Sequence, residues 1–402
     1  MINPDSVSEI RKLPIDGTPL CPSATLAQWR EEAAATPLEY EDGHQGLVIN
    51  RYELAKLILE DKRFSQKPIR IPAHQVVREE SDPGINVVGG ELATEGELDP
   101  GNLLFLDGEQ HLKIRRAVTS RFSVRAAKGY ESDIKTIVSK QIKHLISQGS
   151  PVDLTEHYSE PISAHGHARV LGIPESFFKD YERLFVGKSE ENEKIDYLRR
   201  VLASKKNFLA EDVLSDLLKS DLSKNEIEGL TFSLMVSGRD NVAYMISTGI
   251  LALLRHPDQL QALRDDPTLI DAGIEELLRI SAVFLTMFPR TAMEDVEIDG
   301  VKIARGQSVS VSAVAANHDG RQYSDPDRFD LSRDAFGHLG FGNGIHGCLG
   351  QQVARIEIKE GIMQLIKAFP NLKLVRAEQD APMPFVHPVA AYQVGQVILD
   401  LG

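Results

Sequence analysis

The chain has 402 residues, with 59 acidic against 45 basic side chains and a formal charge of −14, which argues against a nucleic-acid phosphate backbone as its partner. Hydrophobic residues make up 42% and charged residues 26%, the balance of a globular chain rather than a fibrous one. No apolar run approaches the ~18 residues of a membrane span, and the opening MINPDSVSEIRKLP carries charges and prolines where a secretion signal needs an apolar core.

The expectation is a cytoplasmic protein that binds neither nucleic acid nor membrane. Cys21 and Cys348 are the two cysteines. With no C-x-x-C and so wide a separation, they read as independent thiols in a reducing compartment, neither a zinc framework nor a disulfide scaffold.

In chain order, GLVIN followed by RYELAKLILEDKRFS (residues 46–65) predicts a strand leading into an amphipathic helix. Residues 81–102 are rich in glycine, proline and acids. A loop of that length is either a substrate-facing lid segment or a surface insertion. From Leu103 to about Asp221 the apolar period is helical, most clearly in EQHLKIRRAVTSRF and SDIKTIVSKQIKHLISQG.

Ser223 with Glu226 then forms a capping box that opens a long helix, expected from Lys224 until His256-Pro257 stops it. At ~1.5 Å per residue such a helix spans ~48 Å. A polar break, Ser237-Gly238-Arg239-Asp240-Asn241, interrupts its middle. Gly238 there is either a tolerated packing glycine or a place where another group approaches the backbone closely.

Two shorter helices are expected at 258–265 and 268–280, with strand-like VEIDGVKI and QSVSVSA after them. A glycine-rich loop, a helix ending at Phe369-Pro370 and a β-like tail complete the chain. With no internal repeat or linker, the reading is a single domain over 1–402, mainly α with minor β sheets. Its helix-rich core covers about 103–370, and the β segments lie near both ends.

The strongest local signal is FGNGIHGCLG, residues 341–350, where Gly342, Gly344, Gly347 and Gly350 surround Cys348 just ahead of an amphipathic helix. Glycines admit positive φ and let backbone lie against a flat ligand. A thiol near a helix N-terminus has its thiolate form favoured by the free N–H groups. The loop therefore suits a metal ligand. Gly342, Gly344 and Gly347 also fit G-x-G-x-x-G, but no apolar strand precedes them, as a dinucleotide site requires. Glu276 and Arg279 stand at i, i+3 on one helix face, and Asp240 places a carboxylate in a segment that otherwise reads as buried.

Together these features resemble the cytochrome P-450 haem-thiolate monooxygenases of the soluble bacterial type. FGNGIHGCLG matches the signature F-G-x-G-x-H-x-C-x-G, Glu276 and Arg279 match the E-x-x-R pair, and SGRDN resembles the oxygen-binding stretch of the long central helix over haem. HLKIRR (111–116) and FPRTAMEDVEIDG (288–300) add further likeness, in the right order.

The resemblance implies haem b, with Cys348 as its iron ligand and metal-binding residue, O2 as co-substrate, and electrons from NAD(P)H through redox partners. His111, Arg115, Arg290 and His346 fall where the family holds haem propionates, with Phe341 and Gly350 near the sulfur. Glu276 and Arg279 are implied to be structural, tying a helix to the loop ahead of the cysteine. Asp240 and Asn241 occupy the catalytic acid–alcohol positions, although the family usually has Thr where this chain has Asn241. An amide donates and accepts hydrogen bonds but relays protons poorly, so either Asn241 orders a water or a substrate group completes the relay.

Val236, Gly238, Phe284, Leu285, Thr286 and Met287, with the 81–102 loop, are implied to face a small hydrophobic substrate. The compact stretch between Leu171 and Ser237 suggests a short lid. A haem domain of this type uses most of the chain, so no fused reductase is expected. A ferredoxin or flavodoxin-type donor would dock, with Lys113, Arg116 and Arg121 as a local basic patch. The function implied is hydroxylation, epoxidation or O-dealkylation of that substrate. The alternatives are a specialised biosynthetic oxidase (coupling, nitration or desaturation in secondary metabolism) and a non-enzymatic haem sensor.

Overall fold

The helix that opens at the Ser223 capping box is two helices, Lys224–Ser237 and Asp240–Arg255, separated at Gly238. This corrects the expectation of one continuous rod. Both halves of the capping box form: the Ser223 hydroxyl accepts the Glu226 N–H, and the Glu226 carboxylate accepts the Ser223 N–H. The computed structural model describes residues 9–40, 43–67, 69–70, 91–92, 99–186, 189–238, 240–378, 390–392 and 395–402. Most of the 81–102 loop therefore lies outside the described residues. No described helix is long and apolar enough to cross a membrane.

Contacts group the chain into two compact units. The first comprises residues 1–93, 255–348 and 378–393. Its centre is a six-stranded sheet in the order Arg11–Lys12, Ala35–Glu39, Gln45–Ile49, Ser308–Val311, Arg290–Ala292, Phe64–Ser65. Gln45–Ile49 pairs parallel with Ser308–Val311, matching Leu47 to Val309 and Ile49 to Val311. Val48, Ile49, Val309 and Val311 are buried, the apolar run of a central strand.

As expected, the Tyr52–Glu60 helix follows directly and buries Leu54, Ala55, Ile58 and Leu59. VEIDGVKI is a hairpin, Val296–Ile298 with Val301–Ile303, turned through Asp299 and Gly300, both at positive φ. The two shorter helices appear as Pro257–Asp265 and Ile270–Ile280.

The second unit comprises residues 94–254, 349–377 and 394–402 and is mostly helical. Val242 to Leu253 is buried on every side, which accounts for its uniform hydrophobicity. The Gln351–Ala368 helix passes close to it: a Cβ on Gly361 would sit 2.9 Å from Ile246, and the Tyr158 hydroxyl donates to the Gly361 carbonyl at 2.6 Å. The β-like tail is a three-stranded sheet of Lys373–Ala377, Val397–Asp400 and Val152–Asp153.

Candidate active site

In the first unit, the cysteine loop is built by hydrogen bonds from its neighbours. His338 starts it: Nδ1 accepts the Gly340 N–H at 3.0 Å, so Nε2 carries the proton and donates to Glu275 at 3.1 Å. The Leu339 N–H donates to the Asn317 side-chain oxygen at 2.8 Å. Gly342 and Gly344 adopt φ of 69° and 70°, and a Cβ on Gly344 would collide with the Leu59 carbonyl. The Cys348 N–H then turns back to the Phe341 carbonyl at 2.8 Å. Cys348 itself is half-buried, and around Gly350 no side chain lies within reach of an added Cβ. The expected helix begins at Gln351, three positions after the cysteine.

Arg290 converges on the same place. Its guanidinium donates to the carbonyls of Ile58 and Leu59 at 3.3 and 3.0 Å, capping the end of the Tyr52–Glu60 helix with positive charge. Cys348, His346, Phe341 and Arg290 thus belong to one unit, with Arg290 and the cysteine loop both braced on Leu59.

Behind the loop, Glu276 and Arg279 are completely buried and form a two-pronged ion pair at 2.6 and 2.8 Å. Arg333, which carries no signal in the sequence reading, adds a bond to Glu276 at 3.1 Å, and the Asp330 N–H adds another at 3.2 Å. Arg279 also donates to the carbonyls of Asn317 and Pro326. A buried ion pair satisfied on both sides keeps its charges without stranding either. His338, Asn317, Glu275 and Arg333 were missed in the sequence because each contributes one ordinary polar group from a distant segment. The lone hint is His338 standing directly ahead of the glycine loop.

The remaining candidates sit in the second unit. His111 is buried and Arg115 half-buried, one turn apart on the Gly108–Thr119 helix. Asp240 is exposed in the first turn of its helix, where the dipole favours a carboxylate, and Asn241 beside it is half-buried. Val236, at 40% exposure, presents an apolar surface just before the break. Of the proposed substrate-facing run in the first unit, Phe284 is half-buried, whereas Leu285, Thr286 and Met287 are inside at 3, 6 and 9%.

The expected basic patch is smaller than the sequence suggested. Lys113 is paired with Glu226 at 2.6 Å and Arg121 with Asp216 at 2.5 and 3.0 Å. Of the three, Arg116 remains an exposed cation on the helix surface.

Among the described residues no group of three or more His, Cys, Asp or Glu side chains could hold a metal ion. A thiol on a glycine-rich loop suits an iron that arrives already held in a haem and takes one bond from the protein. The residues fit haem.

Residues 173–390 match the family model described as Cytochrome P450. The chain is 32% identical over 385 residues to cytochrome P450 105C1 of a Streptomyces species, covering 92% of this chain and 93% of that one. The chain belongs to the cytochrome P450 family. This P450 is also 30% identical to the monooxygenase PikC of Streptomyces venezuelae, over 88% of this chain and 85% of that one.

Among solved structures, this P450 superposes on MoxA of Nonomuraea recticatena with TM-score 0.81 and 28% identity, covering 97% of this chain and 98% of that one. It superposes on MycCI of Micromonospora griseorubida, a mycinamicin VIII C21 methyl hydroxylase, with TM-score 0.81 and 26% identity, covering 97% and 98%. The P450 is therefore a monooxygenase, an oxidoreductase that uses haem iron and O2.

Proposed function

We propose that this P450 inserts one oxygen atom of O2 into a small hydrophobic molecule, with electrons delivered from NAD(P)H by a separate ferredoxin or flavodoxin-type donor. The observation that carries this reading is the Cys348 loop, where one half-buried thiol stands among glycines and its N–H is tied to Phe341. Haem bound there supplies the iron that activates O2.

Cys348 holds that iron through its sulfur, with Phe341 packed beside it and Gly350 leaving room. His111 and Arg115 in the second unit, and Arg290 and His346 in the first, each offer N–H donors suited to propionate carboxylates. Asp240 holds a proton near the reacting side, and Asn241 orients a water that carries it inward. Val236 and Gly238 in the second unit, and Phe284 in the first, offer apolar contact suited to the substrate, and Leu285, Thr286 and Met287 are buried next to Phe284 in the chain. The bound mycinamicin VIII of MycCI supports a hydrophobic natural product as the substrate class.

A second reading, a biosynthetic oxidase that couples, nitrates or desaturates its substrate, is favoured by the amide at Asn241, where the family usually has a hydroxyl.

Purified ferric protein titrated with terpenoids, aromatic ethers and macrolide-like molecules tests the proposal. A low-to-high-spin shift with one class identifies the substrate type. Cys348→Ser is expected to abolish the thiolate-type band of the ferrous carbonyl complex. Retention of that band in the variant would overturn the assignment of the ligand.

A further inference from the structure

A third helix lies against the break between Lys224–Ser237 and Asp240–Arg255. His167 lies on the Glu160–Leu171 helix, on a stripe otherwise formed by the buried Ser163, Ala164, Val170 and Leu171. Its Nδ1 is 2.5 Å from the hydroxyl of Tyr181. Tyr181 has no solvent exposure, and its ring is held by Phe178, Phe185 and Tyr197 at centroid distances of 6.3, 5.2 and 6.5 Å.

The opposite edge of the imidazole fills the space at Gly238. A Cβ there would lie 2.6 Å from Nε2, 2.9 Å from Cδ2 and 3.0 Å from Cε1. All of these elements belong to one unit.

The ring is therefore confined at both ends. Withdrawing from Gly238 would pull Nδ1 off the hydroxyl of a buried phenol and give up that hydrogen bond. Advancing is blocked by the Gly238 backbone. A side chain inserted at a helix backbone is one of the few causes of a sharp helix break. Gly238 is the residue type that lets such a ring come this close, which resolves the two alternatives its sequence position left open.

We propose that His167, braced by Tyr181, is the positioning residue that ends the first helix at Gly238 and restarts the second at Asp240, so setting how Asp240 and Asn241 are presented. The inference rests on the reading of that pair as the proton-delivering residues. His167 acts on the pair through the backbone and touches no substrate.

The test uses haem-loaded protein as wild type, His167→Ala, Tyr181→Phe, Gly238→Ala and the double variant His167→Ala/Gly238→Ala. Backbone amide hydrogen exchange is followed over residues 234–246. Imidazole binding to the ferric iron is titrated through its Soret shift.

His167→Ala is expected to raise exchange across the break by about tenfold and leave the Gln351–Ala368 helix at the wild-type rate. It should also change imidazole affinity severalfold, and Tyr181→Phe should do the same to a smaller degree. Gly238→Ala should impair the protein on its own. Removing the ring in the double variant should return exchange and haem content to the level of His167→Ala alone. Wild-type exchange and imidazole affinity in His167→Ala would overturn the proposal, as would a double variant no better than Gly238→Ala. If Gly238→Ala does not fold, the first two variants still decide it.

Asp240→Ala and Asn241→Ala separate the two levels. Wild-type product formed per NAD(P)H consumed in both removes the reading of the pair as proton-delivering, while the exchange data judge His167 independently. Altered imidazole affinity in these but not in His167→Ala removes the role of His167 alone.

Discussion

Arg279 and Leu339 are joined through one residue: the Arg279 guanidinium donates to the Asn317 backbone carbonyl at 2.9 Å, and the Leu339 N–H donates to the Asn317 side-chain oxygen at 2.8 Å. The buried ion pair thereby fixes the start of the cysteine loop without touching it. Asn317→Ala removes the acceptor and strands a buried N–H, at a cost of about 1–3 kcal/mol. The expected outcome is a lower thermal midpoint together with partial loss of the thiolate-type carbonyl band. A variant with wild-type melting and a full band would show that the loop starts correctly without this bridge.

Glu276→Gln leaves Arg279 and Arg333 facing a neutral amide inside the protein. Breaking a buried pair by removing one partner costs about 3–5 kcal/mol. The urea midpoint should therefore fall in protein with and without haem alike, because the pair is structural. A drop confined to the haem-bound form would contradict that role.

Glu357 on the Gln351–Ala368 helix is 3% exposed and lies against Gly166, and among the described residues its Oε1 has no hydrogen-bond partner. Burial pushes its carboxyl from an ordinary 4.5 up to about 8. The unfolded chain releases this proton first, so stability is full below about 4.5, declines as pH rises and levels off above about 8. Glu357→Gln should remove the decline, matching the wild type in acid and exceeding it by a few kcal/mol, as an order of magnitude, on the alkaline side. Melting curves of the two proteins across this range check it, and parallel curves would refute a neutral Glu357.

Asn241→Thr should leave substrate oxidation within about an order of magnitude, because a water positioned by either side chain can carry the proton. Asp240→Asn removes the carboxylate proposed to hold it and should slow turnover by about tenfold or more. Product formed per NAD(P)H consumed reads both variants. Total loss of oxidation in Asn241→Thr with haem retained would mean that the amide itself is required.

Electron-donor docking should respond unequally to the three cations first grouped as a patch. Arg116 is exposed, so Arg116→Glu should raise the KM for reduced ferredoxin severalfold, most at low salt. Lys113→Ala should act mainly on stability, since Lys113 is committed to Glu226 at 2.6 Å. Equal effects on KM from both would restore the larger patch.

The sequence alone determined what is carried by consecutive residues. The capping box at Ser223 and Glu226 and the glycine pattern around Cys348 are set by local backbone chemistry, as is the strand–helix run expected over residues 46–65, whose helix ends at Glu60 ahead of a Phe64–Ser65 strand. The family was legible for the same reason, since its signature, the glycines around Cys348 and the helix that follows, lies in one short stretch of chain.

Tertiary structure decided what depends on groups distant in sequence. Arg333 reaches Glu276 across 57 positions, Asn317 joins Arg279 across 38, and Lys113 finds Glu226 across 113. None of these partners is marked by its neighbours. The break at Gly238 belongs to both levels: the glycine is visible in the sequence, but the imidazole that fills its missing side chain comes from another helix. A residue type can declare that space is needed, and only the packed fold can say what occupies it.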